Sequence, residues 1–115
     1  SKIPETGNIV CVCSSMKDAL CLWCNTGIPC VAIQGEGYSM SNTAISELKR
    51  RFNKVFILFD NDEAGLADGI KLAESTGFIN RVLPFNLGGK DVSDIYKSMS
   101  DKEEFRKVML DLFKE

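Results

Sequence analysis

The sequence predicts an α/β fold, a parallel sheet of about four strands flanked by helices, and two observations carry that expectation. Short apolar runs alternate with amphipathic segments of about 10 to 14 residues, an alternation that builds βαβ units with right-handed crossovers. Each cluster of unusual polar residues also follows directly on one of the apolar runs or on the loop after it. That is the carboxyl edge of a parallel sheet, where ligands bind.

The elements follow in order. Residues 8–13 (NIVCVC) read as a strand buried on both faces. Ser14-Ser15 offers an N-cap for a helix over 16–25, closed by Gly27. Pro29 precedes a second strand over 30–33, which runs into Gln34-Gly35-Glu36-Gly37. Residues 41–52 carry Ala44, Ile45, Leu48 and Phe52 at helical spacing with charges between them. Residues 55–59 (VFILF) form the strongest strand, and 63–76 the next helix, stopped by Gly77. A fourth strand is expected over 81–85, where Pro84 suits an edge or a strand end. A loop over 86–90 leads to Asp91, a short helix to about Met99 and a charged helix over 101–114.

A chain of 115 residues suits one domain over 1–115, with its core at about 8–99. It begins at Ser1 rather than Met, the mark expected of a piece excised from a larger protein. The net charge of -2 excludes a domain-wide basic field for nucleic acid and leaves room only for a local patch. No run approaches the ~18 apolar residues of a membrane span, so no membrane partner is expected. Five cysteines stand at 11, 13, 21, 24 and 30, the pair Cys21 and Cys24 at CxxC spacing. With no histidine and no second close pair to complete a zinc site, all five read as reduced thiols in the core, which suits the cytoplasm.

The candidate chemistry gathers on four segments of one edge: Ser14-Ser15, residues 34–37, residues 60–62 and residues 88–94. Asp60 and Asp62 lie one residue apart after a wholly apolar strand, where their charges repel unless something positive intervenes. Hard carboxylate oxygens without histidine favour Mg²⁺ or Mn²⁺ over zinc. Asp60 alone would equally suit a helix cap. Gly88-Gly89-Lys90-Asp91 suits either a turn with a capping aspartate or a further carboxylate and a cation for the site. Ser14 and Ser15, ahead of Lys17 and Asp18, open a helix whose free N–H groups favour anions. Glu36, between Gly35 and Gly37, belongs to a plain loop or aims a carboxylate into the cleft.

The ordered motifs SSMKDAL, QGEGY, FDNDEAG and GGKDVSD resemble the Toprim domain, shared by bacterial-type primases, type IA and II topoisomerases and some nucleases. The resemblance spans about residues 8–99. Its most specific element, Asp60 to Gly65, is similar to the aspartate pair of primases and phage primase–helicases. Type IA topoisomerases follow their pair with an Arg-Glu-Gly run, which this chain lacks. The resemblance implies a Rossmann-like Toprim fold and metal-dependent nucleotidyl transfer for RNA primer synthesis. It implies a DNA template and nucleoside triphosphates as partners, neighbouring zinc-binding or helicase domains, and an intracellular setting in a bacterium or phage-infected cell. By the same resemblance Asp60 and Asp62 are the principal Mg²⁺ or Mn²⁺ ligands and Asp91 holds a second ion. Ser14, Ser15, Lys17 and Lys90 would meet phosphates.

One departure bears on catalysis. The family's usual Glu-Gly is replaced here by Ser14-Ser15, and a serine carries no negative charge. Glu36, on the neighbouring strand end, is expected to fill that role and to act with Asp60 and Asp62. The alternatives are a catalytically silent Toprim module that binds nucleic acid or protein, and a metal-dependent nuclease. A haloacid-dehalogenase-type phosphatase would carry its aspartates on the first strand, and a receiver domain would place acids where this chain has serines.

Overall fold

A computed structural model describes residues 7–33 and 40–114 of the chain. Strand β1, Gly7–Cys13, is followed by α1, Met16–Thr26, and β2, Cys30–Ala32. Helix α2, Asn42–Arg51, leads into β3, Phe52–Phe59, then α3, Glu63–Thr76, and β4, Ile79–Val82. Two more helices, α4 at Val92–Ser98 and α5 at Lys102–Asp111, complete the described chain.

The four strands form one parallel sheet in the order β2-β1-β3-β4. Cys11 on β1 faces Cys30 on one side and Phe56 on the other. Side chains alternate across a strand, so β1 feeds two cores. Cys11 and Cys13 pack with Leu22, Ile95, Phe105 and Met109, from α1, α4 and α5. Val10 and Val12 pack with Leu48 and Leu72, from α2 and α3. The chain leaves β1 toward β2 and returns past it to β3, so the strand order reverses between β1 and β3. A crevice opens at the carboxyl ends of those two strands. Ser14 and Asp60 stand there.

The expected α/β architecture is the observed one, with three local differences. β3 starts at Phe52 rather than Val55, because α2 ends at Arg51 and Phe52 turns extended (φ -131°, ψ 144°) to pair with Gly7. β4 covers Ile79–Val82 rather than 81–85, ending short of Pro84, which has no N–H for a ladder. Cys24 is exposed on α1 instead of sharing the core with Cys11, Cys13 and Cys30. Gly27 and Gly77 close α1 and α3 in left-handed conformations (φ 78° and 82°), which glycine adopts without strain. No helix among the described residues is long and apolar enough to cross a membrane.

Candidate metal centre

Three of the helices that begin on this edge, α1, α3 and α4, carry side-chain caps close to the ends of β1 and β3. Ser15 caps α1, its hydroxyl accepting the Asp18 N–H at 3.2 Å. Asp62 caps α3 through the Gly65 N–H at 2.8 Å. Asp91 caps α4 through the Asp94 N–H at 2.8 Å. These caps satisfy N–H groups that a helix start leaves without partners.

Three carboxylates meet beside these caps. Asp18, Asp60 and Asp91 each offer an oxygen, and the three oxygens lie within 4.8 Å of one another. They come from α1, the end of β3 and the start of α4. Asp18 is 3% exposed and Asp91 8%, while Asp60 is half-buried. Their surroundings hold them in place. The Ser93 N–H donates to Asp18 Oδ1 at 3.1 Å, and Ser14 Oγ donates to Asp60 Oδ1 at 3.1 Å. Burial pushes the Asp60 carboxyl above its ordinary range against the lowering effect of the Ser14 hydroxyl, and the charges of Asp91, Asp18 and Asp62 push it further. A cation stands beside the cluster: Lys17 Nζ lies 3.8 Å from Asp91 Oδ2, its side chain 60% exposed.

The donor set fits a hard divalent cation. Three carboxylates are all-oxygen ligands, and an octahedral Mg²⁺ at ~2.1 Å holds its ligands about 3 to 4 Å apart, a small contraction from the observed spacing. The hydroxyl oxygen of Ser93, itself 5% exposed, is buried without a hydrogen-bond partner and belongs to the residue whose N–H holds Asp18. A buried orphan of this kind asks for a water or ligand.

Of the residues singled out in the sequence, Asp60 and Asp91 fall in this cluster and Asp62 does not. Besides capping α3, Asp62 turns Oδ2 toward Lys90 Nζ at 3.7 Å. For Asp62, the positive neighbour is thus a lysine. Ser14 lies against Asp60, Ser15 serves as a cap and Lys17 faces Asp91. Glu36 lies outside the described residues. Asp18 is the addition. Its signal was present in the sequence: an acid in the same helical stripe as Ala19 and Leu22, which are buried with it.

Asn61, between the two aspartates, fastens the opposite loop. Its N–H donates to the Lys90 carbonyl at 2.7 Å, and its side-chain amide donates to the carbonyls of Pro84 (3.1 Å) and Gly89 (3.3 Å). Two glycines allow the close approach. A Cβ on Gly65 would stand 2.2 Å from the Asp60 carbonyl oxygen, and one on Gly89 would stand 2.4 Å from Asp94 Cβ.

Comparison with protein families matches residues 11–96 to one described as Toprim-like. The chain belongs to the Toprim-like family. The match runs from β1 to α4 and includes all three clustered aspartates. A Toprim-like domain places this chain in metal-dependent nucleotide or nucleic-acid metabolism. Among curated proteins, no match to this Toprim-like domain is found.

Proposed function

We propose that this domain performs metal-dependent phosphoryl transfer on nucleic acid, and that its reaction is the nucleotidyl transfer of a DNA primase or primase–helicase. The convergence of Asp18, Asp60 and Asp91 at the sheet's switch point is the observation that carries the reading. These three would hold Mg²⁺ or Mn²⁺, which when bound neutralises phosphate charge and polarises the phosphoryl oxygens.

The chain's own residues set the stage for that chemistry. Asp18 and Asp91 are each held in orientation by a hydrogen bond from the Ser93 and Asp94 N–H groups, which limits the movement that binding requires. The free N–H groups at the start of α1 favour an anion beside them, and Lys17 and Lys90 supply mobile positive charge at the rim. Ser14 orients Asp60 rather than acting as an acid. Glu36 remains the proposed acid/base, with Asp62 as an outer carboxylate that a shift of Lys90 would release.

A second reading, a binding module without chemistry, is favoured by that same Ser14 contact, since a neutral hydroxyl occupies the place of the family's glutamate. One experiment separates the readings. Mg²⁺ or Mn²⁺, nucleoside triphosphates and a single-stranded DNA template are supplied to the protein and to Asp60→Asn, and the products are resolved by size. Metal-dependent extension products lost by at least about 10²-fold in the variant support primer synthesis. Shortened template instead indicates a nuclease. Metal and DNA binding without any product indicates the silent module.

A further inference from the structure

Phe85 is 68% exposed, the most exposed of the large hydrophobic side chains among the described residues. A phenyl ring in water forgoes the stabilisation that burial would give it, so its outward position calls for a reason. The backbone beneath it is well held. Pro84 precedes it, and the Pro84 carbonyl accepts the Asn61 side-chain amide at 3.1 Å. The same amide reaches the Gly89 carbonyl at 3.3 Å, so both arms of the loop are fastened to one residue. That residue stands between Asp60 and Asp62. Standard bond lengths along this hydrogen bond keep the Cα atoms of Asn61 and Phe85 within roughly 10 Å of each other. The backbone that carries the ring is therefore held near the carboxylate edge, and the ring itself is open to solvent.

We propose that Phe85 is a stacking platform for an unpaired nucleobase of a single-stranded nucleic acid whose phosphate lies at the Asp18–Asp60–Asp91 edge. The inference rests on the metal-dependent nucleic-acid reading above. Two further observations favour a base over a protein partner. On its C-terminal side the loop exposes Asn86, Gly88 and Lys90; in the apolar run before it Leu83 is buried and Pro84 half-buried, so only Val82 is exposed with the ring. Lys90, its side chain 60% exposed, adds a cation that a backbone phosphate can meet. The net charge of -2 also gives the domain no broad attraction for phosphates. Contact with the base face then has to supply affinity that charge does not, and it does so whatever the base.

The test compares the protein with Phe85→Ala and Phe85→Trp, the latter in a Trp23→Phe background so that its indole is the sole one. A labelled oligothymidylate is titrated in Mg²⁺ and followed by anisotropy, and Mg²⁺ binding is measured separately by calorimetry. Phe85→Ala should bind the oligonucleotide about 10-fold more weakly, in line with the loss of one stacked base. Its Mg²⁺ affinity should be unchanged. Phe85→Trp should bind as the parent does, and its fluorescence should be quenched as the strand is added. An abasic strand should bind the parent and Phe85→Ala equally. Equal affinity of the parent and Phe85→Ala for the thymidylate overturns the proposal, as does failure of the parent to bind the strand. If Mg²⁺ binding persists in either case, the metal reading stands and only the platform falls. Absence of Mg²⁺ binding in the parent would instead remove the reading beneath it.

Discussion

The Ser93 N–H donates to the Asp18 carboxylate at 3.1 Å, joining the first turn of α1 to the first turn of α4 across 75 positions of sequence. Both residues are at least nine-tenths buried. This bond places the Asp18 carboxylate beside Asp91, two residues before Ser93, and makes a carboxylate cluster from two helix starts.

Asp18 should therefore have separable effects on metal and on stability. Asp18→Asn keeps an oxygen to accept the Ser93 N–H but loses the charge. It should bind Mn²⁺ at least about 10-fold more weakly, the scale seen when a metal site loses a supporting group, with little change in melting temperature. Asp18→Ala leaves the buried Ser93 N–H without a partner and should cost about 1–3 kcal/mol in denaturant unfolding.

Asp60 provides a dependence on pH. Its folded pKa is raised above the unfolded value by burial and by neighbouring carboxylates. The contribution of this group is thus fully present below its unfolded pKa and is lost as pH rises through the folded pKa. Without metal, the protein should be less stable than Asp60→Asn near neutral pH, and the difference should disappear toward pH 3. Saturating Mg²⁺ should abolish the gap at neutral pH by neutralising the cluster. Paired melting curves across pH, with and without Mg²⁺, provide the measurement. The comparison is made against the variant so that every group other than Asp60 cancels.

Gly65 should tolerate no side chain. Its Cβ would lie 2.2 Å from the Asp60 carbonyl oxygen, a backbone atom that moves only with the end of β3. Gly65→Ala should destabilise by at least about 1–3 kcal/mol, the usual scale for overpacking, and should weaken Mn²⁺ binding with it. Gly77→Ala is the control. Nothing lies within 4 Å of that added methyl group, and only the left-handed backbone is strained (φ 82°). It should cost about 1–2 kcal/mol and leave the metal affinity alone.

The five thiols should divide by position. Cys24 is exposed, Cys21 half-buried, and Cys11, Cys13 and Cys30 buried. Burial, with the neighbouring Cys13 and Cys30 thiols, pushes the Cys11 thiol well above its ordinary range, and burial likewise raises Cys21. Alkylation followed by mass spectrometry should mark Cys24 first and Cys21 slowly. The three strand cysteines should react only after unfolding. Early labelling of Cys11 or Cys13 in the folded protein would contradict this packing.

The alternation of apolar runs with amphipathic segments was enough to determine the α/β class, and turn and capping residues marked the helix ends at Ser15, Gly27, Gly77 and Asp91. Caps and periodicity act within about four residues, so a linear reading contains all the groups involved. The same locality explains why Asp60 and Asp91 were visible as edge residues. Tertiary structure alone decided which carboxylates meet. Asp62 lies two positions from Asp60, yet its backbone has turned to cap α3 and its second oxygen faces Lys90. Asp18 is distant from both Asp60 and Asp91 in the chain but is brought between them by the reversal of strand order at β1 and β3. Neighbours in sequence were separated and distant residues joined because a parallel sheet sets position by strand order, while sequence spacing sets only the face on which a side chain emerges.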